Sequence, residues 1–253
     1  MPPSTLPWLT ARPIAHRGLH DGVGIIENTP SAVAAAIAGN YSIEVDLQIS
    51  ADGEAMVHHD DDLGRLTDGA GPLRDLTAAA LKQVAFKATA DRMMTLGDLI
   101  DLVAGRVALV LELKSRFDGD LRLATRVAAV LGRDPATIGA MSFDPGPIVA
   151  LRRLAPRIVR GIVSERHFRP QEWEREAGPM SIARRYQLAF LLHGLTSRPA
   201  FVAYKVADLA AFAPRVARHM FGLPMLTWTV RSPTDRAMAA RFADQMIFEG
   251  FRA

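Results

Sequence analysis

An eight-stranded parallel barrel, the TIM (β/α)8 fold, is the architecture this sequence predicts. Three observations predict it. Short apolar segments alternate with helix-like segments from residue 13 to residue 248 of a 253-residue chain. Such alternation calls for parallel strands joined by crossover helices, and eight units in this length suit a closed barrel. The residues best equipped for chemistry fall at the C-terminal ends of the apolar segments, where barrel enzymes build their sites. Finally, no G-x-G-x-x-G turn follows the first strand, which disfavours a doubly wound open sheet.

The elements follow in order. Pro13 to Ala15 reads as the first strand, with His16-Arg17-Gly18 directly after it. Thr29 is an N-cap and Pro30 suits the first helical position, so a helix is expected to Ala38, ended by Gly39. Ser42 to Leu47 is the second strand; strand alternation puts Glu44 and Asp46 on one face with Val45 behind them. Asp52-Gly53 makes a turn, and Ala55 to His58 returns as a short strand. Residues 60–92 are polar and read as an insertion with one short helix, Thr77 to Val84. Alternation then resumes. Strands are expected at Val107–Leu113, Thr137–Phe143, Arg157–Val163, Ala200–Lys205, Met225–Val230 and Gln245–Phe248. Helices are expected at Thr95–Val103, Leu121–Leu131, Pro147–Leu154, roughly 170–193, Ala207–Met220 and Pro233–Phe242.

Composition narrows the function classes. There is no cysteine, which excludes disulfides and thiolate metal sites. The net charge is +3, from arginines spread over many helices rather than gathered in one aromatic-interleaved patch. That is an ordinary solvated surface and argues against nucleic acid, while suiting an anionic small molecule. The N-terminus lacks a basic start and an apolar core, and no apolar run is long enough to span a bilayer. A cytoplasmic protein without stable membrane insertion is the expectation; the oligomeric state is not legible.

In a barrel, His16, Arg17, Glu44, Asp46, Glu112, Lys114, Ser142, Tyr204 and Trp228 converge on one mouth. Three carboxylates together resist ionisation. A hard divalent cation, Mg²⁺ or Ca²⁺, resolves this and predicts Glu44, Asp46 and Glu112 as its ligands. His16 and His59 suit proton transfer near neutral pH. Alternation allows only one of His58 and His59 to face the site, and His59, beside Asp60 and starting the turn, is the choice. His58→Ala should accordingly be mild. The chain has no H-x-H pair, which counts against a binuclear metal barrel. Arg17 and Lys114 offer positive charge to a phosphate, and Trp228 offers a stacking face or core packing. Glu27 either orients His16 or Arg17 from behind or supports the first helix N-terminus.

These motifs, taken in order, resemble the glycerophosphodiester phosphodiesterases. The matching stretches are His16-Arg17-Gly18, Glu27-Asn28-Thr29, Glu44-Val45-Asp46, Asp52-Gly53, His59-Asp60 with Leu63, Arg65 and Thr67, Glu112-Leu113-Lys114, Ser142-Phe143 and Trp228-Thr229-Val230. Each is short, but the ordered set is specific and spans nearly the whole chain. The resemblance implies one barrel domain over 1–253 with a small insertion at about 52–92. It implies one divalent metal on Glu44, Asp46 and Glu112, catalytic His16 and His59, and phosphate contacts from Arg17 and Lys114. The implied reaction is hydrolysis of a glycerophosphodiester to sn-glycerol 3-phosphate and an alcohol. Lysophospholipids or other phosphodiesters are the alternative substrates, and a non-catalytic binder of phosphorylated ligands is the alternative class. Two positions depart from the family pattern. Glu249-Gly250-Phe251 stands where the family has Thr-Asp-x-Pro, and Arg231 stands where it often has Asn. Neither is expected to hold metal or move protons, so substrate preference is where their effect is expected.

Overall fold

The computed structural model describes residues 6–132, 136–169, 173 and 179–253. Eight parallel strands close on themselves: β1 (Ile14–Ala15), β2 (Ser42–Ile49), β6 (Leu109–Leu113), β7 (Ile138–Ser142), β8 (Val159–Ser164), β9 (Phe201–Lys205), β10 (Met225–Val230) and β11 (Gln245–Phe248). Closure is by β1, which pairs with β11 at Ile14–Ile247 and with β2 at Ile14–Ser42. The far end of β2 carries β3 (Ala55–Val57), the one antiparallel addition to this sheet among the described residues.

Two apolar layers hold the barrel. Inside it, Leu9, Ile14, Val110, Met141, Val163, Phe201, Ala203, Leu226 and Ile247 pack together. Outside it, alternate residues of the same strands, such as Ile43, Val45, Leu47, Leu109 and Leu111, pack against the helices. Both faces of these strands are thus buried, as parallel strands under crossover helices require. Gly161 makes the inner packing possible. A Cβ at this position would lie 2.3 Å from the Phe201 ring, so any side chain here would force the ring out of the barrel interior. The floor of the barrel is closed by α1 (Pro7–Thr10), an element with no counterpart in the expected list; its Leu9 is fully buried in the inner cluster.

Other elements lie close to expectation, with instructive shifts. Helix α2 (Pro30–Ala38) starts where Thr29 Oγ1 accepts from the Ala32 backbone N–H. The helix Leu96–Val103 begins with a reciprocal Thr95–Asp98 capping box. The helix expected from Pro147 starts at Pro145, because the Asp144 side chain caps it by accepting from Gly146 N. The helix expected from Ala207 starts only at Phe212, after a single 3₁₀ turn at Val206–Asp208. Pro214 explains the delay, since its ring would clash with a helical carbonyl four residues earlier and is tolerated only in the first turn. Of the helical region expected at 170–193, the structure describes the helix Ile182–Ala189, and a further short helix, Gly194–Ser197, follows beyond it; residues 170–172 and 174–178 lie outside the described residues. Residues 60–92 form a two-strand ribbon, β4 (Asp62–Leu63) against β5 (Gly71–Pro72), and a short helix Ala78–Leu81. They close a small apolar cluster in which Leu63, Leu73, Leu81 and Phe86 pack with Ile26, Met56 and Met93.

Candidate active site

Alternation along the strands sets what faces the barrel mouth. Ile14, Val110, Val163, Ala203, Leu226 and Ile247 point inward. Two residues on from each, at the same face, come His16, Glu112, Glu165, Lys205, Trp228 and Glu249. Most of these residues line one cavity of about 530 Å³, together with Arg17, Glu44, Asp46, His59, Lys114, Phe143 and Trp173. A second groove of about 620 Å³ adjoins it at His59 and Lys114 and runs past Asp61, Arg74 and Arg116.

Glu44, Asp46 and Glu112 are buried, and one carboxylate oxygen of each lies within 4.8 Å of those of the other two. Burial raises the Glu44 pKa well above its usual range, and the charges of Asp46 and Glu112 add to this. Glu44 Oε2 accepts the Arg17 backbone N–H at 3.0 Å, while buried Oε1 has no hydrogen-bond partner. Asp46 goes the opposite way. Burial would raise it, but Lys114 and then Arg17 outweigh burial and hold it well below the ordinary carboxylate range. Lys114 Nζ sits 3.0 Å from Asp46 Oδ1 and 2.7 Å from Glu112 Oε1, and Arg17 Nε sits 3.1 Å from Asp46 Oδ2.

Arg17 takes up this position with φ +56°, a left-handed conformation that a side-chain-bearing residue adopts only under constraint. The constraint is visible: its N–H is on Glu44, its carbonyl accepts from Asn28 N, and its guanidinium is on Asp46 and Glu27. Glu27 bridges Arg17 and Arg65, and its carboxylate touches neither His16 nor the helix N-terminus. Arg65 also binds Asp60, which accepts from His59 Nδ1 at 2.8 Å. His16, on the other side, donates from Nδ1 to Glu249 and points Nε2 toward Glu44, 4.0 Å away.

Two of the residues expected at the mouth do not face it. Ser142 turns outward and donates to Leu113 O at 2.7 Å. Tyr204 is fully buried in the outer layer, donating to Ala189 O. Their neighbours Phe143 and Lys205 line the cavity instead. Trp228 does line it, with its edge fixed by donation to Ala203 O and its ring 5.4 Å from Phe143. Three residues at the site were given no role by the sequence reading. Asn28 donates from Nδ2 to Asp46 Oδ2 at 2.9 Å. Glu165 accepts from Trp173 Nε1 and pairs with Lys205. Glu249 holds His16. For Glu165 and Glu249 the signal existed: each stands two residues beyond an apolar strand residue that faces inward.

His58 is buried at 2% exposure, behind His59. Burial is the main cause that lowers its pKa from 6.5 to about 4, against the opposing charge of Asp60. The unfolded chain therefore binds a proton here as pH falls below 6.5, whereas the folded chain does not until about pH 4. Stability is lost across that window on acidification. Urea midpoints at pH 7, 5.5 and 4.5 should fall, and His58→Gln should flatten the fall; an unchanged slope assigns the loss to other groups. A truncation such as His58→Ala also leaves a cavity, so the mildness expected of it applies to turnover and not to stability.

Comparison with known proteins bears on family and fold. The glycerophosphoryl diester phosphodiesterase family model matches residues 16–251. A glycerophosphodiester phosphodiesterase of Caldanaerobacter subterraneus subsp. tengcongensis is 34% identical over 110 residues, which is 40% of this chain and 44% of that protein, less than two thirds of its length. Among solved structures, a phosphodiesterase from Oleispira antarctica, in complex with the product sn-glycerol-3-phosphate, superposes with TM-score 0.71 at 22% identity, covering 95% of this chain and 94% of the other. A glycerophosphodiester phosphodiesterase from Thermotoga maritima gives 0.68 at 22% identity, with coverage of 93% and 92%. At these identities the two structures speak for the fold, and the family match, which runs through every strand from His16 onward, speaks for descent. The chain belongs to the glycerophosphoryl diester phosphodiesterase family.

Proposed function

We propose that this protein hydrolyses glycerophosphodiesters to sn-glycerol 3-phosphate and an alcohol. The observation that carries the reading is the joint lining of one cavity by three buried carboxylates, two imidazoles, Arg17 and Lys114. The product bound to the Oleispira antarctica relative is consistent with it. A divalent cation, Mg²⁺ or Ca²⁺, fits Glu44, Asp46 and Glu112: the donors are hard oxygens, Glu44 Oε1 has no other partner, and the crowded negative charge calls for a cation. Such an ion, when bound, polarises a phosphoryl oxygen and offsets developing negative charge.

The protein's own groups do the rest. Arg17 and Lys114 are held on Asp46 with their charges toward the cavity, where they stabilise the phosphoryl oxygens as negative charge builds. His16 and His59 each have Nδ1 tied to a carboxylate. That leaves each Nε2 for proton transfer: one imidazole, neutral, takes the proton of the attacking water or neighbouring substrate hydroxyl, and the other, carrying a proton on Nε2, gives it to the leaving alkoxide; attack by the substrate hydroxyl forms a cyclic phosphate, which water then opens. Phe143, Trp173 and Trp228 supply an apolar wall against the carbon skeleton of one ester arm. The groove past Asp61 and Arg116 has room for the other.

The test is turnover of glycerophosphocholine with direct detection of glycerol 3-phosphate. EDTA should abolish release, and Mg²⁺, Mn²⁺ or Ca²⁺ should restore it. Release untouched by EDTA overturns the metal assignment. No release with any metal, alongside tight binding of the diester, favours a binding protein instead.

A further inference from the structure

The two positions that depart from the family pattern meet in space. Arg231 follows β10 and Glu249 follows β11; β10 pairs with β11, and β11 pairs with β1, which ends at Ala15 just before His16. Backbone bonds tie the three strand ends together: His16 N donates to Phe248 O at 2.9 Å, and Glu249 N to Val230 O at 3.2 Å. Glu249 then uses both carboxylate oxygens. Oε2 accepts from His16 Nδ1, and Oε1 accepts from Arg231 Nε at 2.7 Å. We infer that Glu249, braced by Arg231, is the positioning residue for His16, so that the two departures are one device acting on the proton-transfer histidine and not a change in substrate preference.

The chemistry follows from the acceptor. A carboxylate has no proton to give, so His16 Nδ1 must carry one, and in the neutral ring Nε2 is then the free lone pair. This is the nitrogen that points toward Glu44 and the cavity. Without Glu249 the ring is free to change tautomer and to rotate about its last torsion. Arg231 prevents the carboxylate itself from turning away. Its backbone is fixed in turn, because Arg231 N and Ser232 N both donate to Asp235 Oδ2 at the start of the helix Pro233–Phe242. His16 and Arg231 together keep Glu249 ionised, lowering its pKa to about 2 against the opposing effect of burial. Another imidazole nitrogen, His20 Nε2, lies 3.9 Å from Glu249 Oε2, beyond hydrogen-bond distance. The Arg231 side chain is more than half exposed, so its brace is weaker than the Glu249 contact it supports.

The kinetic arm of the test rests on the activity proposed above. Glu249→Ala should lower kcat by about 10- to 100-fold with KM within about threefold of wild type. Glu249→Asp should recover part of the loss, and Arg231→Ala should cost only a few-fold, less than about 10. In a His16→Ala background, Glu249→Ala should cost nothing further, because its effect passes through the ring already removed. The second arm needs no turnover. Ring-nitrogen NMR of ¹⁵N-histidine protein should show His16 as the single Nδ1–H tautomer in wild type and as a mixture in Glu249→Ala. A change in KM or substrate selectivity at constant kcat overturns the inference. So does an undiminished Glu249 effect without His16, or an unchanged His16 tautomer. If no substrate turns over at all, the NMR result still decides it.

Discussion

His16→Ala and His59→Ala should each lower kcat by at least about 10²-fold, a loss of roughly 2.7 kcal/mol or more in transition-state stabilisation. Both should keep the wild-type melting profile. Neither ring belongs to an apolar cluster, and each sits at the cavity edge with its side chain 12% and 18% exposed. Their removal opens the site to water without leaving a void in either packed layer. The partners also stay satisfied. Asp60 keeps two bonds from Arg65 when His59 goes, and Glu249 keeps Arg231 when His16 goes. The expected pattern is therefore low kcat, little change in stability and little change in diester affinity. Steady-state kinetics with circular-dichroism melting measure all three. Near-wild-type turnover in either variant removes that histidine from the chemistry, and equal loss of folding and turnover reduces it to a structural role.

The barrel was legible because its signals are local. Thr29 and Thr95 announce helix starts, and Glu44 and Asp46 announce their face by alternation with the apolar Ile43, Val45 and Leu47. The same rule failed at Ser142 and Tyr204 for a physical reason. Strands buried on both faces carry no polar alternation, so nothing in Ile138–Ser142 or Phe201–Lys205 says which residue looks inward. The answer depends on register within the closed barrel, and it gives Phe143 and Lys205 the cavity instead. The contact of Asn28 was hidden because it sits in a loop, where φ +58° turns its amide onto Asp46. Glu249 was noted only as a departure from the family pattern; its place beside His16, beyond the last strand and next to a glycine, was legible only by stepping two residues on from Ile247. Helix Pro7–Thr10 was invisible because its role exists only once a barrel floor exists to be closed.

Glu44→Gln should separate stability from activity at the centre of the site. Glu44 is 1% exposed, and burial together with Asp46 and Glu112 makes its ionised form costly. Glutamine has nearly the same shape, and its amide oxygen still accepts the Arg17 N–H that now reaches Oε2. In EDTA the variant should therefore melt higher than wild type, by about 2–4 °C for each kcal/mol of repulsion relieved in a domain of this size. With a divalent cation the order should reverse. Binding at a concentration of 100 times Kd stabilises the wild type by about 2.7 kcal/mol, whereas the variant has lost the charge that favours the ion and should gain little. Turnover should fall by at least about 10²-fold, as expected when preorganised charge at a reacting phosphoryl group is lost. Melting curves of both proteins in EDTA and in Mg²⁺ or Ca²⁺ decide the matter. If the variant is less stable in EDTA, the three carboxylates are not in mutual strain. If it gains as much from the cation as wild type does, the ion is held elsewhere. Crossing curves mean that this protein keeps a destabilising cluster of charge in its barrel because the cluster is what binds the ion.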